Sequence, residues 1–254
     1  MCLHKANLQF YTFVTYYIMI KLSVNINKIA TIRNARGGDY PDVLEAAINC
    51  QKFGANGITI HPRPDERHIR KIDVYKLKPL ITKEYNIEGY PSQEFIKMVL
   101  EIRPTQVTLV PDSPDVLTSC AGWDTVKFKD YLKEVITILR KQDIRTSIFV
   151  DPVISMIEGA KECGSDRIEL YTEDYALGYN KNKEKAIAPY IESAKKASEL
   201  ALGINAGHDL SLVNLEYFAQ EIPNLAEVSI GHALISDAIY LGLENTIQMY
   251  KRLL

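Results

Sequence analysis

Three of the five histidines in this chain stand at the ends of short apolar runs of sequence. They are His61 in GITIHP, His208 after LGINAG and His232 in EVSIGH. Carboxylates stand at or near the ends of three further runs, at Glu88, Asp151 and Glu169. Burial can tune both histidine and glutamate to exchange protons near neutral pH. If the runs are strands whose ends meet, their spacing predicts a site for general acid–base catalysis.

Two other chemistries have weaker support in the sequence. No GxSxG sequence and no Ser-His-Asp order is present, so nothing indicates acyl transfer. A metal site formed by His61 and His208 remains an alternative. However, we would expect a barrel metallohydrolase to carry His-x-His on its first strand, where this chain has Asn25 and Asn27. Acid–base catalysis by histidine and glutamate is the simpler interpretation.

Glycine-bearing segments follow the last two apolar runs, NAGHD at 205–209 and IGHA at 230–233. Gly231 stands just before a predicted helix that begins near Ala233. Backbone N–H groups at a helix N-terminus point outward, and the helix dipole favours an anion there. These segments therefore predict one phosphate site, in the loops that often hold phosphate in barrels of this size.

A second anion site is predicted from basic side chains nearer the N-terminus. Arg63 and His68 lie in HPRPDERHI, and Arg33 and Arg36 lie in the segment after the first run, which we interpret as a loop. Taken singly, each of these residues is equally compatible with a solvated charged loop.

The elements that would position these residues recur along the chain. Eight short apolar runs, taken as strands, occupy 21–27, 57–62, 84–89, 106–111, 145–150, 167–172, 202–207 and 227–232. The segments between them show helical periodicity, as in 41–54 and 92–104, and an amphipathic stretch covers 233–254. Asp42 and Ser92 are typical helix-start residues, and Gly54 is a typical stop.

Eight β/α units predict an α/β fold, a single (β/α)₈ TIM barrel with active-site residues at the carboxyl ends of its strands. The alternative is an open doubly wound sheet. Such a sheet usually carries a glycine-rich phosphate turn after its first strand. Here that segment reads KIATIRNARGG, without GxGxxG or GxxxxGK[ST].

The length and charge of the chain argue against two classes of partner. The chain has 254 residues, the usual size of one such barrel, and 30 basic against 32 acidic residues give a net charge of −2. Because no basic run is present, we expect no nucleic-acid partner. The apolar stretch at 8–20 is shorter than the roughly 20 residues that span a bilayer, so we expect no membrane partner.

The ends and cysteines of the chain lead to three further expectations. We expect residues 1–18 to be a dispensable N-terminal extension or an upstream-start artefact. The barrel domain would then occupy 19–254.

Four widely spaced cysteines, without a CxxC pair, favour a reducing compartment. We therefore expect a cytoplasmic protein.

From about Lys21 to the C-terminus, the chain resembles the pyridoxine 5′-phosphate synthase family. The resemblance rests on the order of seven strings: VNINKIATIRNARGG, GITIHPRPDERHI, YNIEG, VTLVP, IELYTEDYA, INAGH and IGHA. It implies a barrel with extra helices, assembled as a homo-octamer built from dimers, with no redox or metal cofactor. It also implies condensation of two small phosphorylated substrates, 1-deoxy-D-xylulose 5-phosphate and 3-amino-2-oxopropyl phosphate.

The resemblance implies roles for individual residues. His61 and Glu88 would be acid–base residues, His208 the proton donor, and Glu169 the group that stabilises the transition state. The amino-ketone phosphate would lie against Asn25, Arg36 and the Gly231–His232 turn. The sugar phosphate would lie against Arg63, His68 and Thr118. We also count Asn27, Lys28 and Asp209 as substrate-binding residues.

Three positions depart from the family pattern. Many relatives have Asp-His where this chain has Asn27-Lys28, and glycine where it has Asp209, whose carboxylate would repel a phosphate unless it turned away. The loop around Thr118 matches only in outline. We expect Lys28 to act on a substrate phosphate by its charge, not as a Schiff base. The alternatives are another phosphate-binding barrel aldolase or synthase, and a ligand-binding paralogue without turnover.

Overall fold

The structure, a computed structural model, describes residues 19–111 and 121–254. In these ranges eight parallel strands form a closed barrel, with each strand paired to its neighbours in chain order and β8 paired to β1. The strands are β1 (Lys21–Asn25), β2 (Gly57–Ile60), β3 (Glu84–Gly89), β4 (Gln106–Leu109), β5 (Arg145–Val150), β6 (Arg167–Leu170), β7 (Gly203–Gly207) and β8 (Leu225–Ile230). The predicted barrel is confirmed, and the open sheet is excluded.

Ten helices lie in the two described ranges. They are α1 (Asn27–Arg36), α2 (Val43–Lys52), α3 (Lys71–Leu77), α4 (Gln93–Ile102), α5 (Lys129–Arg140), α6 (Ile154–Glu162), α7 (Glu173–Glu199), α8 (Leu215–Glu221), α9 (His232–Leu241) and α10 (Leu243–Arg252). Two of them are additional to one helix per strand: α1 follows β1 directly, and α9 precedes the closing helix α10. The predicted extension, residues 1–18, lies outside the described residues.

Helix ends follow the sequence signals closely. The Asp42 side chain accepts a hydrogen bond from the backbone N–H of Leu44, and the Ser92 hydroxyl accepts one from Phe95. These contacts satisfy N–H groups that have no partner within the helix. Helix α2 ends at Lys52, just before Gly54, which has a left-handed φ of 101°. The two predicted starts and the predicted stop are confirmed.

One expectation about secondary structure was wrong. The segment after β1, expected to be a loop, forms α1 and stops at Gly37, where φ is 75°. The amphipathic stretch 233–254 forms two helices, because Gly242 takes φ 78° and ψ 145° between them. Glycine adopts this backbone conformation without the steric cost that a side chain would add.

The amino-terminal end of the barrel is closed by charged side chains. Lys21 and Arg145 both bind the Glu84 carboxylate, with Arg145 Nη2 2.7 Å from Glu84 Oε2. Arg167 Nη1 lies 3.3 Å from Glu227 Oε2. Burial and the neighbouring Glu84 raise the pKa of Glu227 to about 8. Glu227 is therefore largely protonated at neutral pH and can donate its proton to Glu84.

We predict that Glu227→Gln removes part of the pH dependence of folding. The raised pKa of Glu227 stabilises the fold below its unfolded value near 4.5, and this contribution is lost as pH rises towards 8. Glutamine keeps the neutral donor at every pH. In urea unfolding, the free energy of unfolding of the variant relative to wild type should therefore rise by at least about 1 kcal/mol between pH 5.5 and pH 8. Glu162→Gln, on the surface, is the control, and the same pH slope in all three proteins would contradict the prediction.

A candidate active site at the carboxyl ends of the strands

One cavity at the carboxyl ends of the strands is lined by residues from seven of the eight strands or the loops that follow them. The lining residues are Asn25, Glu88, Val110, Phe149, Glu169, His208, Ser229 and Gly231. Five of these were predicted as site residues from the sequence. Asp151 is not among the lining residues, and its carboxylate instead accepts a hydrogen bond from the backbone of Gly122, at 3.2 Å.

On one side of this cavity, His61 lies beside Glu88. The distance from His61 Nδ1 to Glu88 Oε2 is 3.9 Å, and Asn25 Nδ2 donates to the same oxygen at 3.4 Å. The backbone N–H of His61 donates to Asn27 Oδ1 at 2.9 Å, so the Asn27 amide fixes the end of β2. Burial, and then the nearby cation Arg63, lower the pKa of His61 well below its usual value. His61 is therefore neutral at physiological pH and can accept a proton.

Glu169, on β6, also lines this cavity. Its side chain is buried, and burial raises its pKa to about 7, against the effect of His208 and a hydrogen bond from Thr108. Thr108 Oγ1 lies 3.4 Å from Glu169 Oε2 and 3.1 Å from Asn86 Oδ1. A carboxyl group that titrates near neutral pH can hold either charge state while a substrate is bound.

His208 stands on the opposite side of the cavity from His61's loop, directly after β7. Its backbone is left-handed, with φ 52°, and follows Gly207. A side chain at Gly207 would lie 2.2 Å from the backbone oxygen of Ser229, so only glycine allows β7 and β8 to approach here. Burial acts to lower the pKa of His208, but Asp209 and the carboxylates Glu169 and Glu173 raise it overall. The raised pKa favours the protonated form of His208, which can donate a proton.

The β2–α3 loop carries two of the basic side chains from which one anion site was predicted. Arg63 is buried there, and His68 Nδ1 accepts the backbone N–H of Ile69 at 2.9 Å. Burial, Arg63 and Lys28 lower the pKa of His68 to about 4. Lys28, in the first turn of α1, therefore lies close enough to His68 to act on it electrostatically. A concentration of positive charge that suppresses protonation of a histidine is suited to binding a dianion.

The anion site predicted from the glycine-bearing segments would lie at the start of α9. Gly231 caps this helix and His232, its first residue, is exposed. A Cβ atom at Gly231 would lie only 3.1 Å from the side chain of Asn25. The turn therefore packs against the end of β1 and leaves its amides at the barrel mouth.

The remaining predicted residues have different environments. Arg33 was expected to bind an anion, but it is buried, pairs with Asp73 at 2.9 Å and donates to the His68 carbonyl at 3.0 Å. That expectation was wrong, because these contacts occupy its guanidinium and brace the β2–α3 loop. Arg36 is exposed at the end of α1. Thr118 lies outside the described residues.

Two features of the site were not predicted from the sequence. One is Thr108, a polar residue within the apolar run QVTLVP, whose position in a buried strand was the available signal. The other is an apolar wall of Val110, Phe149 and Tyr171, in which the Tyr171 ring meets the His208 ring edge-on with centroids 5.4 Å apart. Strand alternation alone does not show which of these side chains meet.

Two other features are absent from the part of the chain that the structure describes. No group of three or more His, Cys, Asp or Glu in residues 19–111 and 121–254 is placed to hold a metal ion. No helix in the same ranges has the length and apolar character needed to cross a membrane.

Comparison with known proteins gives a consistent result. The family model described as pyridoxal phosphate biosynthesis protein PdxJ matches residues 22–254. Pyridoxine 5′-phosphate synthase of Christiangramia forsetii is 66% identical over 93% of this chain and 100% of its own length. The enzyme of the same name from Bacteroides thetaiotaomicron is 61% identical, with the same coverage. Among solved structures, phosphoribosylanthranilate isomerase of Thermotoga maritima shares the fold, with a TM-score of 0.57 and 13% identity, over 92% of this chain and 98% of its own.

We predict that Thr108→Val raises the pKa of Glu169. Valine keeps the shape of threonine but removes the hydroxyl donor, and a hydrogen bond to an ionised carboxylate is stronger than one to its neutral form. The expected rise is roughly half a unit or more. Infrared titration of the protonated carboxyl band, assigned with Glu169→Gln, measures it in the protein without substrate.

Ser147→Ala is the matched control for this titration. Ser147 faces Thr108 in the pairing of β4 with β5, and within the described part of the chain its buried hydroxyl has no hydrogen-bond partner. The alanine variant should titrate like wild type. An unchanged Glu169 titration in Thr108→Val would show that the hydroxyl does not act on this carboxylate.

Proposed function

Because this chain belongs to the PdxJ family of pyridoxine 5′-phosphate synthases, we propose that it condenses 1-deoxy-D-xylulose 5-phosphate with 3-amino-2-oxopropyl phosphate. The chain is an enzyme, and its products would be pyridoxine 5′-phosphate, inorganic phosphate and water. The observation that carries this proposal is that Glu88, with His61 beside it, and His208 stand at the same cavity. Imine formation, dehydration and ring closure each require a proton to move at a different position of the same bound skeleton.

The proposed catalytic residues are His61, Glu88, Glu169 and His208. His61 and Glu88 act as proton acceptors, which fits the lowered pKa of His61 and its 3.9 Å approach to Glu88. His208 donates a proton, which fits its raised pKa. Glu169 stabilises the charge that develops between them, since its pKa of about 7 lets it be ionised or neutral as the substrate demands.

The two phosphates occupy separate sites in this proposal. The amino-ketone phosphate binds at the Gly231–His232 turn, with Asn25 and Arg36. The sugar phosphate binds on the cationic β2–α3 loop; its ligands are Asn27, Lys28, Arg63, His68 and Thr118. Asp209, counted from the sequence with the substrate-binding residues, pairs here with His208. Holding both substrates in one cavity removes much of the entropic cost of bringing them together.

The apolar wall of Val110, Phe149 and Tyr171 supports a further part of the proposal. Phe149 and Val110 line the cavity directly, and Tyr171 packs against Phe149 with ring centroids 5.2 Å apart. The flat ring that forms in the reaction is apolar on both faces. A wall of this kind therefore favours the cyclised product over its more polar, open-chain precursors.

We further propose a homo-octamer built from dimers, no redox or metal cofactor, and a cytoplasmic setting. Exposed apolar side chains at the end of α9 support the assembly. Ile239 is 67% exposed and Tyr240 is 87% exposed, although both are large and apolar. Light scattering of the purified protein tests the oligomeric state, and a stable monomer would refute it.

The acid–base assignment predicts that Glu88→Gln and His208→Asn each lower turnover about 10²–10⁴-fold. Neither variant should unfold, since both residues lie at the catalytic face, where side chains serve chemistry more than stability. Incubation with both phosphorylated substrates, followed by the fluorescence of pyridoxine 5′-phosphate, measures turnover. The exposed Glu184→Gln is the control, and near-wild-type turnover in either test variant would show that its assigned role is wrong.

Lys28 provides a second prediction. If its charge holds the sugar phosphate, Lys28→Ala should raise KM for the sugar phosphate by about tenfold, while Lys28→Arg stays close to wild type. Borohydride should trap no adduct with either substrate. A trapped lysine adduct that disappears in Lys28→Arg would instead show a Schiff-base role and favour another class of barrel synthase.

A further inference from the structure

The most direct contact made by His208 is with its own neighbour in the chain. His208 Nδ1 lies 2.7 Å from Asp209 Oδ2, which is a short hydrogen-bond distance for a charged pair. Both side chains are partly exposed, at 34% and 30%. The pair therefore lies at the cavity mouth, within reach of solvent and substrate.

Contacts from other parts of the fold hold the backbone of Asp209. Its N–H donates to Thr172 Oγ1 at 3.2 Å. Its carbonyl accepts from Asn214 Nδ2, also at 3.2 Å. Thr172 in turn donates to the carbonyl of Gly207. With the backbone held on both sides of the residue, the hydrogen bond to His208 Nδ1 is what directs the carboxylate.

We propose that Asp209 is a positioning residue that holds the proton of His208 on Nδ1 and keeps Nε2 as the nitrogen that exchanges protons with the substrate. This inference rests on the proposed role of His208 as proton donor. A carboxylate that accepts from one ring nitrogen selects the tautomer and orients the ring. It also stabilises the imidazolium form that a donor requires.

The remaining ionisable groups around His208 act in the same direction but at longer range. Glu169 on β6 and Glu173 at the start of α7 both favour the imidazolium. Glu173 is itself engaged, because it accepts a hydrogen bond from the Tyr171 hydroxyl at 2.7 Å. The rings of Phe149 and Tyr171 also lie near His208, with centroids 6.4 Å and 5.4 Å from the centroid of its imidazole. Among the described residues, Asp209 is thus the carboxylate that forms a hydrogen bond with this imidazole.

This arrangement also accounts for an acidic residue beside a phosphate site. An Asp209 carboxylate turned towards the cavity would repel a bound phosphate dianion. When the Asp209 carboxylate pairs with an imidazolium, its charge is locally neutralised. The pair then offers the Nε2 N–H as its hydrogen-bond donor. The two residues then act as one proton-donating unit instead of as a donor and a repelling charge.

Nitrogen NMR of the histidine side chains tests the inference in the free protein, without turnover. His208 is assigned by the loss of its signals in His208→Asn. We expect Nδ1 to stay protonated in wild type, and Asp209→Asn to lower the pKa of His208 by roughly one unit or more. Asp209→Ser should act in the same direction, which guards against a folding defect in one variant. Asp174→Asn removes an exposed charge nearby and should change neither property.

The pH profile of turnover supplies the second readout. The basic limb of the kcat profile should move to lower pH in Asp209→Asn, so that turnover falls more at pH 8.5 than at pH 6.5, with KM for both substrates within about twofold of wild type. An unchanged tautomer and pKa of His208 would overturn the inference. So would a raised KM with an unmoved kcat profile, because Asp209 would then act on substrate binding. If wild type forms no product at all, the proposed function fails, while the NMR result still decides whether the pair exists.

Discussion

Closure of eight parallel strands into one barrel is the constraint on which the site depends. Closure brings the carboxyl ends of all strands to one mouth, so residues as far apart in sequence as Asn25 and Gly231 line the same cavity. It also removes water from the strand ends, which raises the energetic cost of every charge placed there. The shifted proton affinities of His61, His68 and Glu169 all have burial as their largest cause.

Burial alone would favour the neutral form of each of these groups. The neighbouring charges differ from group to group, so the pKa values shift in different directions. Arg63 and Lys28 add positive charge on the side of β1 and β2, which keeps His61 and His68 unprotonated. Asp209 and Glu173 add negative charge on the side of β6 and β7, which favours a protonated His208. A neutral His61, beside the cavity residue Glu88, and a His208 that favours the protonated form thus stand at one barrel mouth at the same pH. Environments that shift the pKa values of similar groups in opposite directions are typical of acid–base catalysis.

Sequence periodicity predicted the fold because eight apolar runs and their helices repeat at the spacing of β/α units. It predicted much of the candidate site for the same reason, since Glu88, Glu169 and His208 mark strand ends directly. Side-chain pairings that depend on the three-dimensional arrangement of the elements could not be predicted from periodicity. Arg33 was misassigned because its partner, Asp73, lies 40 residues away in another helix. Thr108 was overlooked because a single polar residue in an apolar strand does not reveal which side chain it faces.

We propose that the two phosphates bind at separate sites on the mouth of this cavity, one after β8 and one after β2. A crystal structure of the Glu88→Gln variant with both phosphorylated substrates bound tests this most directly. We expect one phosphate within hydrogen-bond distance of the Gly231–His232 amides and the other at Arg63 and His68, with the reacting carbons between His61 and His208. Both phosphates in one of these two sites, or either one bound outside the barrel mouth, would contradict the proposal.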